Sequence, residues 1–300
     1  MDSFGKQRKT TKTGTVLMFL FPVLLFLLAI FIPFINGIWT SMTDAKLYQS
    51  TVNFIGLGNY IELFRDPSFL QSVLVTLKFS VLALLIQVPL GLAVAFLLDI
   101  PTRLQRVWRV ILVIPLLVPP VVAGLMWKTM MHPTSGVLNW LLELVGVEGL
   151  TWLSSTKTAL LSVVLIDTWI YMPFAALILL SGLQAVPVEL LEAAKMDGAT
   201  GFDLFLYLYL PWLSPYLLLV LMFRVADSLK VFDIIYQTSR GGPLNATRVL
   251  NIKAYEEAIR WSNTGRAMAI IMVLWIIIFL ISSCLVRMWN KSMGEARDIA

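Results

Sequence analysis

Cysteine is nearly absent from this 300-residue chain. Cys284 stands alone, which excludes an intrachain disulfide and a cysteine-rich metal site. Histidine is equally rare: His132, beside Pro133, has no second histidine with which to build a catalytic or metal-binding cluster. Charge is scarce, at 14% of residues against about 25% in ordinary soluble domains. No G-x-x-x-x-G-K-[ST] sequence occurs, so the chain lacks the phosphate-cradling loop it would need to hydrolyse ATP itself. Alternating segments of about ten residues, the mark of a membrane β-barrel, are missing. So is any visible internal repeat that would support an inverted-repeat transporter.

What is present is apolar. Hydrophobic residues make up 58% of the chain and the mean hydropathy is +0.82. Six long apolar runs predict membrane helices over about 16–38, 69–98, 110–130, 158–183, 205–229 and 267–286. The fold class is therefore an all-α polytopic membrane protein of six transmembrane helices, with residues 1–300 forming one transmembrane domain. The first run follows Lys6, Arg8, Lys9 and Lys12 but is too long for a signal-peptide core and lacks a small-residue cleavage site, so it reads as a retained span. The third run carries Pro115, Pro119 and Pro120 and should bend or break there. Cys284 lies in the last run, where a small packed side chain is the plain expectation.

Six spans place both termini on one side. Lys6, Arg8, Lys9, Lys12, Arg103, Arg106, Arg109, Lys195, Arg287, Lys291 and Arg297 share that side. Lys46, Arg65, Lys157, Arg240, Arg248, Lys253, Arg260 and Arg266 lie opposite, in longer loops. The short basic segments make the termini cytoplasmic, although the loop between spans five and six is unusually basic for an outside loop. The +5 formal charge is accounted for by loops held against an anionic leaflet and requires no nucleic acid.

One polar stretch interrupts the apolar pattern. Residues 188–211, VELLEAAKMDGATGFDLFLYLYLP, set Glu189, Glu192, Lys195, Asp197 and Asp203 between two spans. Leu190, Leu191 and Ala194 recur at near-helical spacing, which predicts a short helix over about 188–198 that Gly198 ends. Such a helix in water beside a membrane offers one face to a partner. Within the spans, Gln87, Asp167, Trp169, Tyr171, Arg224 and Asp227 stand at membrane depth, where polar groups face a cavity or one another far more often than lipid. Arg224 and Asp227, three residues apart on one helical face, can also be a purely structural pair. Trp169 can equally be packing or an interfacial anchor.

The spacing at the polar insert is specific. Glu192-Ala193-Ala194, three residues, Gly198, nine residues, Leu208 and then Leu210-Pro211 resemble the signature loop of permease subunits of bacterial binding-protein-dependent ABC importers. Gly182-Leu183-Gln184, Pro187, Glu189 and Asp197-Gly198-Ala199 extend the match. Gly58-Asn59-Tyr60, Gly241-Gly242-Pro243, Thr247 and the stretch from Tyr255 to Ala258 resemble the carbohydrate-uptake branch, close to sugar and glycerol-phosphate permeases. The resemblance implies a type I importer permease fold in the bacterial inner membrane, working with a second homologous permease, two cytoplasmic ATPases and an extracytoplasmic substrate-binding protein. It implies no catalytic residue, cofactor or metal in this chain, with ATP and Mg held by the ATPases. It further implies that 188–198 is a coupling helix. Glu192 would then be its polar anchor, and Ala193 and Ala194 would permit close approach. Gly198 would turn the chain, and Leu190, Leu191, Met196 and Phe202 would be candidates for apolar seating. An ATP-independent secondary transporter or channel is the alternative that the membrane acids and Arg224 also fit.

Overall fold

A computed structural model describes residues 3–49 and 51–299, and the side chains of residues 18–49 and 51–292. The side chains of Lys6, Arg8, Lys9, Lys12 and Arg297 lie outside the described ones. Among the described residues there are helices, turns and one isolated bridge between Thr43 and Phe54, with no strand.

The long helices are α1 (Ser3–Ser41), α3 (Pro67–Asp99), α7 (Ala159–Leu183), α10 (Leu210–Leu229) and α13 (Thr264–Ile299). Five helical stretches are long and apolar enough to cross a membrane, and a bent pair supplies a sixth if it counts as one span. That pair is α4 (Gln105–Leu117) and α5 (Pro120–Met130), which meet at 95°. The break has a local cause. A residue that precedes proline is pushed out of the helical region. Val118 and Pro119, each followed by a proline, accordingly sit at ψ 123° and 136°. Pro115 lies inside α4 without breaking it.

Helix α3 packs along α7, and α10 packs against α3, α7 and α13. A close approach of α3 to α7 is permitted by Gly91, where an added Cβ would lie 2.9 Å from Ala175 Cβ and 3.1 Å from the Ala176 amide nitrogen. Small residues at such crossings let backbones meet, which is how membrane helices gain packing contact. Phe79, Ile166, Ile170 and Ile235 form one buried core; Phe69, Leu229, Ile270 and Leu274 form a second; Leu179, Leu213 and Val220 form a third. Helix α1 is different. It touches α13 but buries none of its most apolar stretch. Cys284 is also exposed on α13, so it is not packed within this chain as expected.

At one end, α2 (Gly58–Arg65), α6 (Val137–Leu144), α11 (Asp233–Thr238) and α12 (Leu250–Tyr255) close the bundle. Asn59 donates to the Ser41 and Thr43 carbonyls at 2.8 Å each, which fastens α2 to the end of α1. Thr247 donates to the Gly242 carbonyl at 2.7 Å and holds the Gly241-Gly242-Pro243 turn, where Gly241 has φ +86°. His132 stays local: its Nδ1 accepts from the Ser135 amide at 3.3 Å. Four basic residues of this end, Arg248, Lys253, Arg260 and Arg266, are used internally. Asp66 meets Arg266 at 2.8 Å and Lys253 at 3.1 Å, Glu257 lies 3.5–3.6 Å from both cations, and Arg248 and Arg260 flank Glu256.

Candidate functional site

Three spans deliver the membrane-depth polar residues to one place. Gln87 comes from α3, Asp167 and Tyr171 from α7, and Arg224 and Asp227 from α10. The Arg224 guanidinium is 1% exposed, so its charge needs partners. It donates through Nη2 to Asp167 Oδ2 at 2.7 Å and through Nε to Gln87 Oε1 at 2.8 Å. Gln87 Nε2 in turn donates to Asp167 Oδ2 at 2.7 Å. A closed ring of three hydrogen bonds results. The guanidinium carbon lies 4.2 Å above the Tyr171 ring centre, which adds a cation–π contact.

Asp227 is held more loosely. Its carboxylate lies 3.9 Å from Arg224 Nη1 and 3.4 Å from Lys230, and the side chain is 51% exposed. The pairing of Arg224 with its neighbour on the same helix is therefore secondary, and Asp167, on another helix, is the main partner. Arg224 Nη1 is buried without a hydrogen-bond acceptor and points toward Asp227. Above the ring lies an open cavity of about 310 Å³, lined by Asp167, Tyr171, Asp227, Lys230, Asp233 and neighbouring apolar residues. Nothing in the sequence marks Lys230 and Asp233 for this cavity, because both lie beyond the expected end of the fifth span. Trp169 does not line the cavity; it packs edge-on against Trp127, with ring centres 5.7 Å apart.

The second candidate region is α8 (Val188–Met196), at the far end of α7. Pro187 precedes it in an extended conformation and Gly198 follows at φ +81°, so both ends are set by local backbone chemistry. No residue of α8 is buried. Glu189, Glu192, Ala193 and Asp197 are exposed, Met196 is 88% exposed, and Phe202 is 71% exposed. Leu190, Leu191 and Ala194 are half-buried, and α8 packs on the π-helical segment Leu204–Tyr209 that leads into α10. The near-helical apolar face thus turns toward this chain, while the acids, Met196 and Phe202 turn outward. A capping box between Thr200 and Asp203 starts the next helix, α9 (Gly201–Asp203).

The end of the bundle that carries α8 also holds the α3–α4 turn, where Gln184 Nε2 lies 3.4 Å from Asp99 Oδ1. The final part of α13 joins it there through Ser292, whose Oγ is 2.5 Å from Ser214 Oγ. From Asp167 to the end of α7 the rise is about 24 Å, so the ring and α8 are separated by most of a bilayer core.

Known proteins resemble this chain in sequence and in fold. Residues 87–294 match the family of binding-protein-dependent transport system inner membrane components. The probable ABC transporter permease protein y4oQ of Sinorhizobium fredii is 34% identical, over 97% of this chain and 94% of its own length. The trehalose/maltose transport system permease protein MalF of Thermococcus litoralis is 36% identical over 76% of this chain and 78% of its own. The sn-glycerol-3-phosphate transport system permease protein UgpA of Agrobacterium fabrum is 33% identical over 82% and 87%. A solved chain of a bacterial ABC transporter that imports the acidic polysaccharide alginate superposes with a TM-score of 0.82 at 19% identity, covering 95% of this chain and 98% of that one. The fold is thus shared in full, and the sequence match spans the ring, α8 and nearly all of α13. This chain belongs to the binding-protein-dependent transport system inner membrane components, the permeases of ABC importers.

Proposed function

We propose that this permease forms half of a membrane pathway for a sugar or sugar-like polyol, received from an extracytoplasmic binding protein and moved inward by ATP-hydrolysing partner subunits. The carbohydrate reading is supported by the named substrates of the relatives above and by the site itself. Carbohydrates present hydroxyl edges and apolar ring faces, and the cavity over Asp167 offers carboxylates beside Tyr171 and Phe232. Gln87, Asp167 and Arg224 hold the floor, and Tyr171 and Asp227 reach the solute. The other half of the pathway comes from a second, homologous permease.

The observation that carries the energy coupling is α8, a helix at the end of α7 with no buried residue, whose acids, Met196 and Ala193 face outward. Glu192 anchors it to a partner ATPase, with Ala193, Met196 and Phe202 against the same surface. Glu189, Asp197 and Gly198 border the contact, and Leu190, Leu191 and Ala194 transmit the movement to the Leu204–Tyr209 segment and so to α10. ATP and Mg are bound by the partner, and this chain supplies no catalytic group.

The end that carries α8 and both termini faces the cytoplasm. The basic outer loop is less of an obstacle to this placement once its ion pairs are considered. Arg248, Lys253, Arg260 and Arg266 share the carboxylates of Asp66, Glu256 and Glu257, which offset most of their charge.

Reconstitution in proteoliposomes with the second permease, the ATPases and the binding protein tests the whole reading. Carbohydrate uptake should require ATP inside and lapse when the ATPases are omitted. Uptake by the purified permease alone would replace this reading with an ATP-independent carrier.

A further inference from the structure

The charges around the cavity over Asp167 do not cancel. Three carboxylates line it, those of Asp167, Asp227 and Asp233, with Lys230 as the single lining cation. Asp167 is spent on Arg224, which lies behind the wall at 2.7 Å. Lys230 is engaged by Asp227 at 3.4 Å. Asp233 is exposed and has no ion pair among the described residues. Arg224 Nη1, buried beside the cavity without an acceptor, faces Asp227, so its field also falls on an acid.

We propose that the Asp227–Asp233 wall makes this permease selective for a polyhydroxylated solute without negative charge, neutral or cationic, and turns away anionic ones. The inference rests on reading this cavity as part of the solute pathway. Its physical content is simple. Hydroxyl and ammonium groups donate to carboxylates, whereas a phosphate, sulfonate or carboxylate arriving at this wall meets the unpaired Asp233 and an Asp227–Lys230 pair that offers no free cation. The cavity is open and its Asp227 and Asp233 side chains are exposed, so this repulsion weakens as salt is added. Tyr171 and Phe232 supply ring faces for the apolar side of a sugar.

The sign of the local potential can be measured without knowing the solute. Cys284, the native thiol, is first removed as Cys284→Ser, and Val231→Cys places a reporter on the cavity wall, with Phe232→Cys as a second reporter. In the assembled complex, thiol modification rates are compared for the cationic trimethylammonium-ethyl and the anionic sulfonatoethyl methanethiosulfonates, each divided by its rate with a small free thiol. The normalised cation-to-anion ratio should be at least about fivefold at low salt and should shrink as salt is added. In the Asp227→Asn/Asp233→Asn variant, which frees Lys230, it should fall to one or below. A ratio near one or below in the parent overturns the proposal, as does a ratio untouched by the double substitution, or reporters that fail to react at both positions. The two readings part cleanly. A cation-selective cavity in a complex that moves no carbohydrate retains this inference and removes the substrate assignment. A charge-indifferent cavity in a working sugar importer does the reverse.

Discussion

Replacing Arg224 with methionine removes the cation but keeps most of the side-chain volume. Two hydrogen bonds disappear, to Asp167 at 2.7 Å and to Gln87 at 2.8 Å. The Asp167 carboxylate is then left buried with Gln87 as its remaining donor. Breaking a buried pair by removing one partner costs about 3–5 kcal/mol, because the surviving charge has neither water nor counter-ion. Asp167→Leu added to Arg224→Met removes that charge as well and should restore most of the loss, since an apolar replacement of a buried pair is often close to neutral. Asp227→Asn provides the contrast: its carboxylate is half exposed and distant, so about 0–1 kcal/mol is at stake. The assay is reversible unfolding of the purified permease in mixed micelles, read for the two single variants, the double variant and the parent. A coupling of at least about 2 kcal/mol between positions 167 and 224 is expected for groups in one network. An Arg224→Met protein as stable as the parent, or a coupling within about 0.5 kcal/mol of zero, would refute the account of the ring as a tightly paired buried charge.

Four further outcomes are expected. Gly91→Val should separate α3 from α7, because even a Cβ would sit 2.9 Å from Ala175 Cβ; loss of folded protein on size-exclusion chromatography reports it, and full recovery would contradict the close crossing. Glu192→Arg should leave the complex assembled but lower ATP-dependent uptake by at least about tenfold, as reversing a charge at an interface costs several kcal/mol; parental uptake would remove the anchor role. Gly198→Val should slow uptake through backbone strain alone, about 1 kcal/mol or more at φ +81°, since no atom lies within 4 Å of the added Cβ. The Asp66 network should be acid-sensitive. Burial would raise the Asp66 carboxyl, but the Lys253 and Ser68 hydrogen bonds and the Lys253 and Arg266 charges outweigh it and hold it below its ordinary 3.8. A depressed carboxyl stabilises the fold above its unfolded value, and that contribution fades as pH falls through the lowered one. Hydrogen exchange near α12 should therefore rise below about pH 4 in the parent and depend less on pH in Asp66→Asn.

Much of this was legible in the sequence, for identifiable reasons. Five of the six apolar runs fall on helices long and apolar enough to cross a membrane, and the third falls on the bent α4–α5 pair, because apolar length is nearly all that a bilayer demands. The break at Pro119-Pro120 is equally plain, since proline acts on its own neighbours. Gln87, Asp167 and Arg224 stand out because polar groups are expensive at membrane depth. What could not be read is which of them meet. Arg224 has an acid three residues away and yet binds one 57 residues away, a choice made by the crossing of α7 and α10. The basic loop misleads for the same reason: Arg266 finds Asp66 across 200 residues. Leu190 and Leu191 look like a docking face until the π-helical segment beneath them is known. Lys230 and Asp233 flank a short break in the helix between α10 and α11, which hydropathy does not record.

Helix α1 imposes few demands of its own. From Met18 to Ile32 its large side chains are between 45% and 75% uncovered, so the rest of the chain has little means of telling leucine from phenylalanine there. Swapping one bulky apolar residue for another along this stretch should be nearly silent in the isolated subunit. Any intolerance that emerges only after assembly must come from whatever lies against the helix in the complex. A substitution scan of α1, run on the lone subunit and again on the full transporter, would consequently trace the neighbour's footprint from outside.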